Sequence, residues 1–220
     1  LFPEDIIAFI SETQKSKWEA LQKVLADRTE ETLIQDLCKQ LSLKGSLHVL
    51  RHGFKSFGKT FRLAYFTPNS KLNEQAWQDY EKNILSITRQ VHFSLKNPKQ
   101  SLDVVLSLNG LPVVTMELKN QMTKQTIDNA IYQYKYERQP TDPIFRFKER
   151  ALVHFAVDPD LASMTTKLDG KNTFFLPFNK GYMDGSGNPP NADNYKTAYL
   201  WEEVLQKDSL LDILARFMHL

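Results

Sequence analysis

Cysteine is almost missing from this 220-residue chain. Cys38 stands alone, which excludes an internal disulfide framework and a zinc site built on cysteines. Long apolar runs are missing too: none approaches the roughly 18 residues that a membrane span requires. The N-terminus lacks a signal-peptide pattern, so the expected setting is cytoplasmic. Strong charge of either sign is also lacking, with a formal net charge of +2. A protein that lives on non-specific attraction to phosphates usually carries a larger basic excess. The 28 Lys and Arg residues can still gather on one face, so charge neither points to nucleic acid nor excludes it. No internal repeat is found. The first residue is Leu1 rather than Met, and the expectation is a piece of a longer chain.

What is present is ordinary for a globular protein: 41% hydrophobic and 25% charged residues, enough to bury a full core. Helical spacing dominates the first forty residues. Pro3, Glu4 and Asp5 open a segment with Ile6, Ile7 and Ile10 on one face, and Leu21, Val24 and Leu25 repeat the pattern. Thr29 is the expected N-cap of a third helix, with Glu30 and Glu31 in its first turn and Ile34, Leu37 and Leu41 inward. Strand-like runs follow at Leu47–Arg51 and Phe61–Phe66, then a helical pattern over Leu72–Ile87 with Trp77, Tyr80, Ile84 and Ile87 on one side. Further strands are expected at Gln90–Leu95, Leu102–Leu108 and Pro112–Leu118, a helix over Lys124–Arg138, and a buried strand over Ala151–Val157. Residues 162–178 read as a short hairpin, Gly181–Asn194 as a loop, and Tyr199–Leu220 as an amphipathic helical tail. The order of elements predicts an α/β fold with a central mixed β-sheet flanked by helices.

Gly53–Thr60 spells the nucleotide-binding pattern GxxxxGK[ST]. That loop works only between a strand and a helix whose N-terminus completes the phosphate cradle. Phe61–Phe66, stopped by Pro68, is a poor helix start and a good β segment. A turn between two strands is the better reading, and a nucleotide site there the weaker alternative.

The chemistry concentrates in Ser101–Lys119. Asn109-Gly110 between two β-rich runs signals a hairpin. Even positions of both runs are apolar, while odd positions carry Asp103, Glu117 and Lys119. Opposed residues of an antiparallel pair share a face, so the apolar stripes coincide only when even pairs with even. A two-residue turn breaks that parity, and a three-residue connection with a left-handed Gly110 and a bulge restores it. The same register gathers Asp103, Glu117 and Lys119. Two facing carboxylates suit Mg²⁺, which takes one or two carboxylates and keeps several waters; with a lysine beside them they have the parts for metal-assisted phosphodiester hydrolysis. Paired charges on a solvated sheet face are the competing reading.

The stretch Leu-Asp-Val-Val-Leu-Ser-Leu-Asn-Gly-Leu-Pro-Val-Val-Thr-Met-Glu-Leu-Lys-Asn (102–120) resembles the PD-(D/E)xK superfamily, and within it the nuclease domain of the restriction (R, HsdR) subunit of type I restriction–modification enzymes. Leu50–Lys55, Thr88–Val91, Leu152–Asp158, Met164–Leu168 and Tyr199–Val204 share the likeness, which covers most of the chain. The resemblance implies a restriction-endonuclease-like core over residues 46–180, a helical extension over 1–45 packed on it, and a loop and helical tail over 181–220 leading toward a motor region. It also implies Mg²⁺-dependent cleavage of double-stranded DNA, with Asp103 and Glu117 as metal ligands and Lys119 as the motif lysine. Gln133 falls on the glutamine of the family's glutamine–tyrosine motif. Tyr136 stands three residues on, and Glu137 occupies the usual tyrosine spacing. Glu30 and Glu31 are candidates for a further acidic residue. Implied partners are the methyltransferase (M) and specificity (S) subunits, and ATP is implied only for the motor. An alternative is a DNA-binding or assembly module of the same fold with little activity in isolation.

His48, His52, His92, His154 and His219 show no paired ligand spacing, so packing and hydrogen bonding are expected of them. Trp18, Trp77 and Trp201 are expected at core or docking positions. Lys55, Lys59 and Arg62, or Arg89 and Lys96, are candidates for phosphate contacts, with a solvated basic surface as the default.

Overall fold

In the computed structural model, which describes all residues except Lys71, Leu95, Gln121, Thr123, Asp184 and Leu220, four helices precede the sheet. They are α1 (Pro3–Thr13), α2 (Lys15–Leu25), α3 (Thr29–Lys44) and α4 (Ser46–His52). Apolar residues at helical spacing bury Ile6, Phe9, Leu21, Leu33, Leu37 and Leu41 in one cluster. Thr29 does not cap α3: it is the first helical residue, and its hydroxyl donates to the Ala26 carbonyl. The predicted strand at Leu47–Arg51 is instead α4. Short apolar runs fit either state, and here Gly45 and Gly53, both at positive φ, bound about two helical turns.

Gly53–Thr60 forms a small antiparallel ribbon, β1 (Phe54–Ser56) with β2 (Lys59–Phe61). The motif is therefore strand–turn–strand and lacks the helix start that a phosphate loop needs. The predicted helix over Leu72–Ile87 is shorter, α5 (Glu74–Glu81). It stops where the Asn83 side chain bonds back to Tyr80 and Tyr65, and Ile84 and Ile87 belong to the next strand and its approach.

The sheet runs β3 (Leu85–His92), β4 (Ser101–Leu108), β5 (Leu111–Leu118), β6 (Val153–Val157), β7 (Ala162–Thr165) and β8 (Leu176–Pro177), in that spatial order. Only β5–β6 is parallel, and parallel neighbours require a crossover. Helix α6 (Ile127–Tyr132) supplies it and continues into a wide π turn over Gln133–Glu137. The mixed sheet with flanking helices matches the α/β expectation. The hairpin predicted over 162–178 is β7–β8. The tail is helical in pieces: a wide turn over Leu200–Val204, α7 (Lys207–Asp212), then Ile213–Phe217. The predicted ends at Leu95 and Leu220 lie outside the described residues. One face of the sheet and the helices at both ends of the chain share the large core cluster, while Leu102, Val105, Tyr134 and Phe145 form a second one around the π turn.

The β4–β5 hairpin resolves its parity differently from the sequence expectation. Leu108 pairs with Leu111 across a two-residue turn, with Asn109 at φ 49° and Gly110 at φ 84°. The extra residue is Val113, inside β5: Ser107 pairs with Pro112, but Leu106 with Val114. A bulge in the strand does the work assigned to a longer loop.

Candidate active site

Beyond the bulge the register is Val105–Thr115 and Val104–Met116. One step further, Asp103 stands opposite Glu117. The ladder is replaced there by a side-chain bond, with the Leu118 amide donating to Asp103 Oδ2 at 2.8 Å. Gln90, from β3, donates to Asp103 Oδ1 at 3.2 Å and accepts from the Ser101 hydroxyl at 2.9 Å. Its backbone sits at φ 51° in mid-strand, a conformation that costs about 1–3 kcal/mol in a non-glycine residue and clusters at functional sites. Both oxygens of Asp103 are thus oriented from two directions.

Glu117 is buried, with Ala156 of β6 beside it. Its charge is answered by Arg138, whose Nε and Nη2 lie 2.8 and 2.6 Å from Glu117 Oε1, and both side chains are at most 5% exposed. Nη2 also donates to the Ser101 carbonyl, and the guanidinium lies over the Phe93 ring. Burial pushes the Glu117 carboxyl from its ordinary 4.5 up to about 7; Arg138 pulls it down and the Asp103 carboxylate pushes it up again. A group poised near neutrality by burial and two charge partners is typical of functional sites, though structural ion pairs do the same.

The sequence pattern gives Arg138 only as the end of a helix and assigns it no role. The π turn explains its reach. Arg138 N bonds to Gln133 O, five residues back, so the residue one turn beyond Gln133 is Arg138 and not Tyr136. Tyr136 is over half exposed and stacks on Tyr132 at 4.6 Å; it takes no part in the site. The buried tyrosine is Tyr134. Its hydroxyl is 2.9 Å from Thr115 Oγ1, which in turn is 2.8 Å from His154 Nδ1. This apolar enclosure drives the His154 pKa down to about 3 and the Tyr134 pKa well up, so His154 stays neutral and packs, as expected of it. The Gln133 Oε1 is buried with no hydrogen-bond partner, an acceptor left unspent.

Lys119 lies one residue past the end of β5. Its amide donates to the Val157 carbonyl, and its side chain lines a cavity of about 440 Å³ together with Arg89, Asp158 and Trp201. Among the described residues it forms no salt bridge with Asp103 or Glu117. The structure therefore brings the two acids together, and the cavity that Lys119 lines includes neither of them. Glu30 and Glu31 are elsewhere: they line a groove with Pro3, Glu4 and Ile7, and α1 docks on the turn at the far end of the hairpin, where Phe2 N donates to Gly110 O. Trp18 is in the core, whereas Trp201 is exposed at the cavity rim.

Among the described residues no group of three or more His, Cys, Asp or Glu side chains is arranged to hold a metal. The donor set is two opposed carboxylates, which suits an ion that keeps most of its waters. The sequence matches the family model described as type I restriction enzyme R protein N terminus over residues 8–173. The chain belongs to this family. The part that matches the R-protein family runs from α1 through β7 and contains Gln90, Asp103, Glu117, Lys119, Gln133 and Arg138. Comparison with curated proteins finds no match. No helix among the described residues is long and apolar enough to cross a membrane.

Proposed function

We propose that this R-protein region is a restriction-endonuclease-like nuclease of the PD-(D/E)xK type that hydrolyses phosphodiester bonds of double-stranded DNA. It does so in the cytoplasm as part of a complex with methyltransferase and specificity subunits. The observation that carries the reading is the meeting of Asp103 and Glu117 at one end of β4–β5, with Glu117 buried and titrating near neutrality. Asp103 and Glu117 would hold Mg²⁺, which when bound supplies Lewis-acid polarisation of the phosphorus centre and a more acidic water. Gln90 fixes the rotamer of Asp103, and Arg138 holds one Glu117 oxygen. Lys119 would supply a cation for the charge that develops on the phosphate. Gln133, whose Oε1 is buried without a partner, would be the residue to accept a hydrogen bond from a water. ATP belongs to a motor region of the R subunit, not to Gly53–Thr60.

The same ion pair favours a second reading, an assembly module with little activity in isolation, because Arg138 already neutralises Glu117. The test uses the assembled complex. Asp103→Ala, Glu117→Ala or Lys119→Ala is expected to abolish DNA cleavage while ATP-driven translocation continues; cleavage that survives all three substitutions overturns the nuclease assignment. Cleavage by the complex but none by the isolated chain favours the second reading for the chain alone.

A further inference from the structure

A separate concentration of charge lies where the chain turns between α3 and α4. Ser46 N donates to Lys148 O, and a Cβ on Gly45 would come within 3.0 Å of that carbonyl. The corner is thereby fastened to the connection that leads from Arg138 into β6 at the end of that strand away from Glu117. Together with the C-terminal His219, these segments bound a pocket of about 290 Å³. Apart from Gly45 and Leu47, everything lining it is basic or imidazole: Lys44, His48, Arg51, His52, Lys148 and His219. Among the described residues no carboxylate lines it.

Such a collection is unfavourable unless something answers it. Like charges one helical turn apart repel, and the His48 and His52 rings lie 4.6 Å apart, centre to centre. Burial, then His52, then Lys44 lower the His48 pKa. Lys44 and Lys148 are in no salt bridge among the described residues, and the adjacent Glu149 is taken by Ser42 and Arg146. Arg51 does not swing away, because Nε donates to Leu214 O and Nη2 to Met218 O. That pair of bonds also anchors the segment bearing His219.

Two histidines at i and i+4 are a spacing that transition metals use. Lys44, Arg51 and Lys148 around them oppose a cation by the same Coulomb interaction that attracts an anion. We propose that this pocket is an anion site that takes phosphate groups, delivered by a nucleic-acid backbone or by a free oligophosphate. The site does not depend on the cleavage reading, since none of its residues takes part there.

Inorganic pyrophosphate is the probe. It is titrated into the 220-residue chain at constant ionic strength while the C2–H resonances of His48, His52 and His219 are followed, with His92 of β3 as the reference. Saturable shifts confined to the three pocket imidazoles are expected, with a rise in the apparent pKa of His48. Lys44→Ala with Lys148→Ala, which removes two charged hydrogen-bond donors, is expected to weaken binding roughly a hundredfold or more. Thermal unfolding of that variant should be unchanged or slightly raised, because like-charge repulsion is relieved, and His48→Asn gives an independent check. Displacement of pyrophosphate by a short DNA duplex assigns the phosphate to a backbone; displacement by a nucleoside triphosphate alone assigns it to a free ligand. Displacement by neither reduces the pocket to an adventitious ion site and overturns the proposal. So does an equal shift at His92, undiminished affinity in both variants, or Ni²⁺ binding where pyrophosphate gives none.

Discussion

At the scale of residues, Glu117 is held between opposing influences that can be removed one at a time. Burial raises its pKa most, Arg138 lowers it and Asp103 raises it, with a result of about 7. Asp103→Asn removes a raising influence, so the Glu117 carboxyl is expected to titrate lower than in the parent chain. Arg138→Gln removes the lowering influence, so it should titrate higher. ¹³C NMR of the Glu117 side-chain carboxyl reads both. Movement of the two variants in the same direction would show that the carboxylate does not sit between these partners. Arg138→Gln also leaves a buried carboxylate without its counter-charge, and breaking such a pair typically costs about 3–5 kcal/mol. Urea unfolding well above pH 7, where Glu117 of the parent chain is ionised, should therefore show it as one of the most damaging single changes in the chain.

At the scale of elements, the hairpin was readable and its closure was not. Alternating apolar residues from Leu102 to Leu108 and from Val114 to Leu118 require that Asp103 and Glu117 face one another, and they do. Where the odd residue goes is a matter of backbone energy that side-chain pattern does not record: a two-residue turn matches the twist of the strands, so the odd residue, Val113, is absorbed in the strand. Leu47–Arg51 and Leu72–Ile87 went wrong for a related reason, since short apolar spacing fits both states and the arbiter was tertiary: flanking glycines for α4, Asn83 for the end of α5. Arg138 was illegible because its burial depends on the extra residue in a π turn. The hairpin turn also has a neighbour that no local pattern reveals. A Cβ on Gly110 would lie 2.5 Å from Phe2 O and 2.9 Å from Ile6 N, whereas one on Gly58, also at positive φ, would meet nothing. Gly58→Ala should thus cost about 1–2 kcal/mol from conformation alone. Gly110→Ala should cost roughly 1–3 kcal/mol beyond that, because α1 must move. Equal losses in thermal unfolding would mean that α1 does not rest on the turn.

At the scale of the whole molecule, one cluster joins Ile6 of α1 to Leu214 near the C-terminus through β4, β5 and β6, so global unfolding reports on the acids at the end of the β4–β5 hairpin. Glu117 titrates near 4.5 in an unfolded chain and at about 7 in the folded one. A raised carboxyl pKa favours the neutral form in the fold. Its contribution is therefore complete below about 4.5 and is lost as pH climbs through 7, and the free protein is expected to lose stability over that window. Mg²⁺ reverses the trend if Asp103 and Glu117 hold it, because the ion needs the ionised carboxylate and competes with a proton below pH 7. At pH 8 and about 100 times its dissociation constant, the ion would add about 2.7 kcal/mol, some 5–10 °C in Tm for a chain of this size. One unit below the Glu117 pKa the affinity drops about tenfold, and roughly half of that gain is left. Calorimetry at pH 6 and pH 8, with and without Mg²⁺, reads the difference directly. Glu117→Gln should abolish both the gain and its pH dependence, whereas Lys119→Ala, whose side chain lines a cavity that includes neither acid, should keep both. A gain of equal size at the two pH values, or one that survives Glu117→Gln, would place the ion elsewhere.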